Sequence, residues 1–232
     1  MADLIPDGQT DIHSHVLFGI DDGAKTADDS VELISHLARL GYKKLIATPH
    51  IMNAVWENNR ETIGDALEKT KTAAVNAGIE IKAAAEYMLD SNFPKLLEQG
   101  DMLTLKDNYL LVEMSYLNPP LHLRQLIFDI HLAGYVPVLA HPERYAFYHR
   151  NYGELKQLKD SGCKFQINLL SVVGYYGPNP AETAKMLLKD GLIDFAASDV
   201  HHMKHIRNFE QRVLIKDTKP LKDALENTRM FG

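Results

Sequence analysis

Seven short apolar runs recur along the chain, and each is followed by a stretch whose apolar residues fall at helical spacing. The runs are "TDIHSH", "KKLIATPH", "IEIKAAAEYM", "NYLLVEMS", "VPVLAHPER", "KFQINLLS" and "IDFAASDVHH". Between them lie "ADDSVELISHLARLG", "RETIGDALEKTKTAAVNAG", "SNFPKLLEQG", "LHLRQLIFDIHLAG", "NYGELKQLKDSG" and "AETAKMLLKDG", each ending at a glycine suited to a left-handed helix cap. Strands alternating with helices demand parallel pairing through right-handed crossovers. The chain is therefore expected to be α/β. With no linker or low-complexity block in 232 residues, it is expected to form one barrel-like domain. The last segment, "NFEQRVLIKDTKPLKDALENTRMFG", reads as a closing helix interrupted near Pro220.

In parallel α/β folds, ligands gather beyond the C-terminal ends of the strands. His13 and His15, His50, Glu86, Glu113, His141, and Asp199 with His201 all fall within or at the end of a strand candidate. Only "KFQINLLS" delivers neither a carboxylate nor an imidazole. A chance scatter of the eleven histidines would not follow the strands so closely.

Two pairs, His13 with His15 and Asp199 with His201, are spaced i, i+2 and so share a strand face. A lone His-x-His equally fits two half-buried imidazoles held by backbone carbonyls. Glu86 among alanines and Glu113 in "LLVEMS" are harder to explain without a cation, because an ionised carboxylate in apolar surroundings is costly. Asp22 lies in a loop closed by Gly23, and His202 should point away from the pairs beside it. Four carboxylates and five imidazoles exceed what one ion coordinates and suffice for two or three. Mixed nitrogen and oxygen donors without thiolate suit manganese, iron or zinc and disfavour calcium. Such ions would attract an anion such as phosphate, and Arg144, three residues after His141, is placed to grip its oxygens.

Composition narrows the options further. The net charge of -6 argues against a nucleic-acid binder. The single cysteine, Cys163, is followed by "KFQINLL", with no arginine or glycine-rich loop to cradle a phosphate. A cysteine-based phosphatase mechanism is thereby excluded. The opening "MADLIPDGQTD" lacks the features of a secretory signal, and no apolar run approaches the roughly 20 residues of a membrane span. A cytoplasmic location without membrane insertion is the expectation.

The motifs "DIHSH", "DDG", "TPH", "AEYMLD", "HPER" and "SDVHH", in this order, resemble the polymerase-and-histidinol-phosphatase (PHP) superfamily. Within it they resemble the manganese-dependent bacterial protein-tyrosine phosphatases of the capsular-polysaccharide type, from about Asp11 to about His205. The resemblance implies a distorted seven-stranded (βα) barrel holding three divalent ions, manganese above all. It implies one ion on His13, His15, Glu86 and Asp199, a second on Glu86, Glu113 and His141, and a third on Asp22, His50 and His201. Arg144 matches the phosphate-binding arginine, and Arg207 stands near the position of a second. The implied reaction is attack of metal-activated hydroxide on phosphorus while Arg144 binds the phosphate. The implied partner is the tyrosine-rich tail of a membrane tyrosine kinase that controls exopolysaccharide assembly.

Tyr87, Tyr116, Tyr145 and Tyr175, near strand ends, are candidates to wall a slot for a phosphotyrosine ring. Three other readings compete. A small-molecule phosphatase, such as one for histidinol phosphate, would need the same metals. A non-catalytic metal-stabilised binder would leave Arg144 without a task, and an amidohydrolase barrel would not explain Glu86, Glu113 and "HPER".

Overall fold

The computed structural model describes residues 1–232. The seven apolar runs become nine strands: β1 (Gln9–Asp11), β2 (Tyr42–Ala47), β3 (His50–Ile51), β4 (Glu80–Ala83), β5 (Glu86–Met88), β6 (Tyr109–Glu113), β7 (Val136–Ala140), β8 (Lys164–Asn168) and β9 (Phe195–Ala197). All neighbouring strands pair in parallel. They form a three-stranded sheet, β1-β2-β4, and a six-stranded sheet, β3-β5-β6-β7-β8-β9.

This differs from a continuous seven-stranded barrel, and the difference has a local cause. The second run breaks at Thr48-Pro49 and the third, beside it, at Ala84-Ala85. Pro49 has no N–H to donate to a ladder, so it accepts from Glu86 N (3.1 Å) while pairing stops around it. The ends of the first and seventh runs also meet. Asp199 N donates to His13 O (2.8 Å), His15 N donates to Val200 O (2.9 Å), and Ser14 bridges Val200 in parallel. Asp11 ties the same seam by accepting from Ser198 N (2.9 Å) and Ser198 Oγ.

The helices follow the segments read from sequence: α1 (Ala27–Arg39), α2 (Arg60–Asn76), α3 (Phe93–Gln99), α4 (Leu123–Leu132), α5 (Tyr152–Asp160), α6 (Pro178–Lys189), α7 (Met203–Asn208) and α8 (Lys219–Thr228). Thr26 and Asp29 close a reciprocal capping box on α1, and Asn59 with Thr62 does so on α2. The closing segment holds a single α-helix, α8, after non-helical chain over 209–218, and α7 precedes it as a helix the sequence reading did not include. Pro220 lies in the first turn of α8, where its missing N–H costs nothing, so it starts a helix instead of interrupting one. No helix is long and apolar enough to cross a membrane.

The core has two parts. Fifty buried residues, mostly where helices pack on strands, form the larger cluster. A separate cluster of ten contains Ile12, Ile46, Ala84, Leu111, Val138 and Ala197, drawn from six of the seven runs, and Phe231 joins it. The run missing from this set, β8, places the buried amide of Gln166 instead. The smaller cluster fills the space beneath the strand ends where the chemical groups sit.

Asp11 is fully buried, and burial raises its carboxyl pKa to about 6. Asp11→Ala removes the only partner of Ser198 N at the seam and leaves that donor buried. The expected loss is about 2 kcal/mol in urea unfolding. A wild-type unfolding midpoint in that variant would show that the seam is held by other contacts.

Candidate metal centre

Each candidate ligand stands at a strand end or in the loop that follows it, and the parallel ladder brings these ends to one side. His13 Nε2 lies 3.2 Å from both Glu86 Oε2 and Asp199 Oδ1, and His15 Nε2 lies 3.5 Å from the same two oxygens. His50 faces two ways: Nδ1 is 3.0 Å from Glu86 Oε2 and 2.8 Å from Glu113 Oε1, while Nε2 is 3.3 Å from Asp22 Oδ1. His141 Nε2 is 3.3 Å from Glu86 Oε1. His201 Nε2 reaches Asp22 Oδ1 at 3.4 Å. All nine candidate ligands thus converge, and Glu86 is their centre.

These approaches are not a satisfied hydrogen-bond network. His13 Nε2, His15 Nε2, His50 Nδ1, both oxygens of Glu86 and Glu113 Oε1 are buried without a hydrogen-bond partner. Such a cluster of orphaned polar atoms would be costly unless something else satisfied it. Atoms bound to one ion at about 2.1 Å stand roughly 3.0–3.4 Å apart in octahedral or tetrahedral arrangements. That is the spacing seen here, so the residues fit divalent cations. Four groups have ligand atoms within 4.8 Å of one another: His15, Asp22, His50 and His201; His13, His141 and Asp199; His13, His15 and Glu86; and His50, Glu86 and Glu113. The first holds the trio Asp22, His50 and His201 implied by the resemblance, and the third holds His13, His15 and Glu86. Glu113 groups with His50 rather than with His141, because His50 Nδ1 points toward it.

Residues behind the ligands fix their tautomers, and sequence reading had not singled these out. His13 Nδ1–H donates to Gln166 Oε1 (2.8 Å) and His15 Nδ1–H donates to Asp21 Oδ2 (2.8 Å), leaving each Nε2 as the free donor atom for a cation. Asp21 also accepts from Gly23 N and His50 N. Gly23 must be glycine, since a Cβ would lie 2.1 Å from His15 O. The signal for Asp21 was its place beside Asp22 in "DDG". For Gln166 it was a polar residue inside the one apolar run without a ligand.

Two ligands have strained backbones. His141 (φ +36) and Asp199 (φ +50) are in the left-handed region, which side chains with a Cβ rarely adopt. Both turn sharply off their strands into the site. Asp199 then divides its oxygens: Oδ1 faces the imidazoles, while Oδ2 accepts from Arg144 Nη1 (2.7 Å) and Asn168 Nδ2 (2.7 Å). The guanidinium of Arg144 lies 4.0 Å from the Tyr176 ring centroid and 4.8 Å from that of Tyr116. Glu143 anchors the turn carrying Arg144 by accepting from Ser171 Oγ (2.6 Å) and Asn168 N (3.0 Å). Burial pushes the Glu143 carboxyl up to about 7.

Without cations, protons on imidazoles balance the carboxylates. Burial opposes charge on His15, but Asp21 and Asp199 together outweigh it and raise the imidazole well above its usual range. His50 is raised likewise, with Glu86 and Glu113 outweighing burial. Burial works against Glu86 and Asp199, yet His13 and further imidazoles hold both well below the ordinary carboxylate range. Glu113, by contrast, is raised by burial and by Glu86.

A cavity of about 710 Å³ opens over the cluster, lined by Asp22, His50, Glu86, Glu113, His141, Arg144, Asp199 and His201 among others. Of the four tyrosines considered for its wall, only Tyr116 lines it. Tyr87 and Tyr145 are buried with their hydroxyls on backbone groups, and Tyr175 packs on His205. Trp56 and Tyr176 were missed: Trp56 lines the cavity and Tyr176 lies against Arg144. Arg207 is exposed on α7 and is absent from the cavity lining. His202 is exposed and absent from the cavity lining, and its Nδ1 accepts from His205 N at the start of α7.

Residues 9–212 match the capsular polysaccharide synthesis family CpsB/CapC. The chain belongs to that family. It is 33% identical over 202 residues to the tyrosine-protein phosphatase YwqE of Bacillus subtilis, an alignment covering 86% of this chain and 79% of that protein. Among solved structures, it superposes with a TM-score of 0.79 and 31% identity on a chain from work on YwqE of B. subtilis and CpsB of Streptococcus pneumoniae, described as unique metal-dependent tyrosine phosphatases. That superposition covers 86% of this chain and 83% of the other. The histidinol phosphate phosphatase of Lactococcus lactis superposes over 88% of this chain and 91% of its own, with a TM-score of 0.55 and 15% identity, a likeness of fold alone.

Two outcomes follow for this CpsB/CapC chain. Asp21→Ala frees the ring of His15 and should weaken cation affinity roughly 10- to 100-fold in a competition titration against a chromophoric chelator. Unchanged affinity would show that Asp21 does not orient the ligand. Cations must also expel the protons raised on His15 and His50, so affinity should rise with pH through the neutral range. Calorimetry in buffers of differing ionisation enthalpy measures those protons, and a buffer-independent heat would contradict the assignment.

Proposed function

We propose that the chain is a metal-dependent protein-tyrosine phosphatase. In this reading it holds three divalent ions, manganese by preference and iron or zinc otherwise. One ion would be held by His13, His15, Glu86 and Asp199, a second by Glu86 and Glu113 with His141 or His50 completing it, and a third by Asp22, His50 and His201. Its substrate would be the phosphorylated tyrosine-rich tail of a membrane tyrosine kinase in capsule or exopolysaccharide regulation, met in the cytoplasm. Residues 1–232 would be one domain. Its seven runs would be the staves of a distorted barrel, a view supported by the ten-residue inner cluster and the seam between the first and last runs.

The observation that carries this reading is the meeting of buried, partnerless ligand atoms with one clamped guanidinium in a single cavity. Divalent cations held there would supply Lewis acidity toward phosphoryl oxygens and a lowered pKa for water. Arg144 spends one Nη1–H on Asp199, and its other donors remain for phosphate oxygens. The tyrosine rings on the guanidinium keep that fork in one plane, so it does not have to be ordered when the ester arrives. A tyrosine leaving group, with a pKa of about 10, needs less help from an acid than an alkyl alcohol.

Cys163 is buried in the core, and burial pushes its thiol pKa up to about 12, so it supplies no thiolate. Hydrolysis of a phosphotyrosine peptide should therefore stop with a chelator and survive thiol alkylation. Arg144→Ala should lower kcat/KM roughly a hundredfold, and His141→Ala with Asp199→Ala should abolish turnover. Full activity in that double variant would overturn the proposal, and so would a kcat/KM higher on histidinol phosphate than on the peptide.

A further inference from the structure

The chain's single tryptophan, Trp56, stands in the wall of the cavity. It closes a tight hairpin with Met52, the two exchanging Met52 N to Trp56 O (2.9 Å) and Trp56 N to Met52 O (3.0 Å). Ala54 at the tip is left-handed (φ +60), a conformation that a residue with a Cβ holds only when its surroundings impose it. They do so here from both sides. Asn53 N donates to Asp90 Oδ2 (2.8 Å), and Asn58 Nδ2 donates to the carbonyls of Ile20 (2.7 Å) and His50 (2.9 Å). The indole is thus held in place before any ligand arrives.

One indole face lies on the imidazole of His50, with ring centroids 5.0 Å apart and planes 18° from parallel. No other aromatic ring lies beside it, and the residue is half-buried. Tyr116, the other aromatic in the wall, is already engaged by Arg144 at 4.8 Å, His141 at 5.7 Å and Tyr145 at 5.6 Å. His50 and His141 approach opposite oxygens of Glu86, so the two aromatics flank the cluster. Tyr116 serves the phosphate-binding guanidinium. Trp56 keeps a rigid aromatic surface open to the cavity.

We propose that Trp56 is a binding platform for the aromatic ring of the substrate, selecting aryl phosphate monoesters over alkyl ones. The proposal rests on the phosphomonoesterase reading above and deepens it. An ester whose phosphate is gripped at Arg144 carries its ring one oxygen away, inside the same cavity. A planar apolar ring gains by covering the indole, whereas the alkyl stem of a phosphoserine has no flat face to offer.

Because Trp56 is the sole tryptophan, its fluorescence reports on this surface alone. In the cation-loaded protein, phenylphosphonate should change that emission saturably, and methylphosphonate should leave most of it unchanged. Equal changes with both, or none with phenylphosphonate, overturn the platform. Substitution supplies a second readout. In Trp56→Leu the ratio of kcat/KM for 4-nitrophenyl phosphate to that for glycerol phosphate should fall roughly 3- to 10-fold, and Trp56→Phe should restore most of it. An equal fall on both esters would mean that Trp56 only supports His50. If the unaltered protein with cations cleaves neither ester, the hydrolytic reading fails, and the phosphonate titration still decides the platform.

Discussion

Nine ionisable side chains, seven of them buried, meet at one cavity of the CpsB/CapC fold, and their charge has to be balanced there. Glu86 sits at the centre with both oxygens facing imidazoles, inaccessible to solvent and without a hydrogen-bond donor of its own. Much else in the structure follows from keeping that arrangement together. Left-handed backbones at His141 and Asp199, a glycine packed against His15, and a seam of hydrogen bonds between the first and last runs all press ligands inward. A purely apolar core would require none of this strain. Divalent cations would turn the same cluster from a cost into a source of stability, and without them the raised imidazoles of His15 and His50 carry the balancing charge.

The link between this centre and anion recognition is Asp199. One of its oxygens belongs to the imidazole cluster and the other holds Arg144 and Asn168, so in the proposed reading the residue that would hold a cation also positions the guanidinium that would bind phosphate. Glu143 completes the linkage from below, fastening the turn that carries Arg144 to β8 and the loop after it. The run that contributes no candidate ligand therefore supports candidate ligands carried by other runs. Gln166 orients His13, and Asn168 orients Asp199.

Much of the site was legible from one-dimensional pattern. Acids inside apolar runs, such as Glu86 and Glu113, and imidazoles at run ends, such as His50 and His141, needed a common partner on energetic grounds alone. The parallel α/β order said where they would meet. What escaped was of two kinds. Supporting residues such as Asp21 and Gln166 look like ordinary polar residues until their neighbour across space is known. Aromatics were misassigned because period and position do not say which way a ring turns at a strand end. Tyr145 turned into the core, while Trp56 was carried to the cavity by a hairpin that sequence alone did not single out.

By itself, the amino-acid sequence determined the α/β class, the order of the strands and most of the helices, and the chemical types of the candidate ligands, because these depend on residue type and on local spacing along the chain. It also determined that no thiol chemistry was available, since nothing around Cys163 could support it. Tertiary structure decided how the ligands group, that His50 and not His141 faces Glu113, that Arg207 stays outside the cavity, and that two runs split into four strands beside Pro49. Those outcomes turn on a few tenths of an ångström and on the side of a ring that faces a neighbour. Such distances between residues far apart in sequence exist only once packing has fixed them.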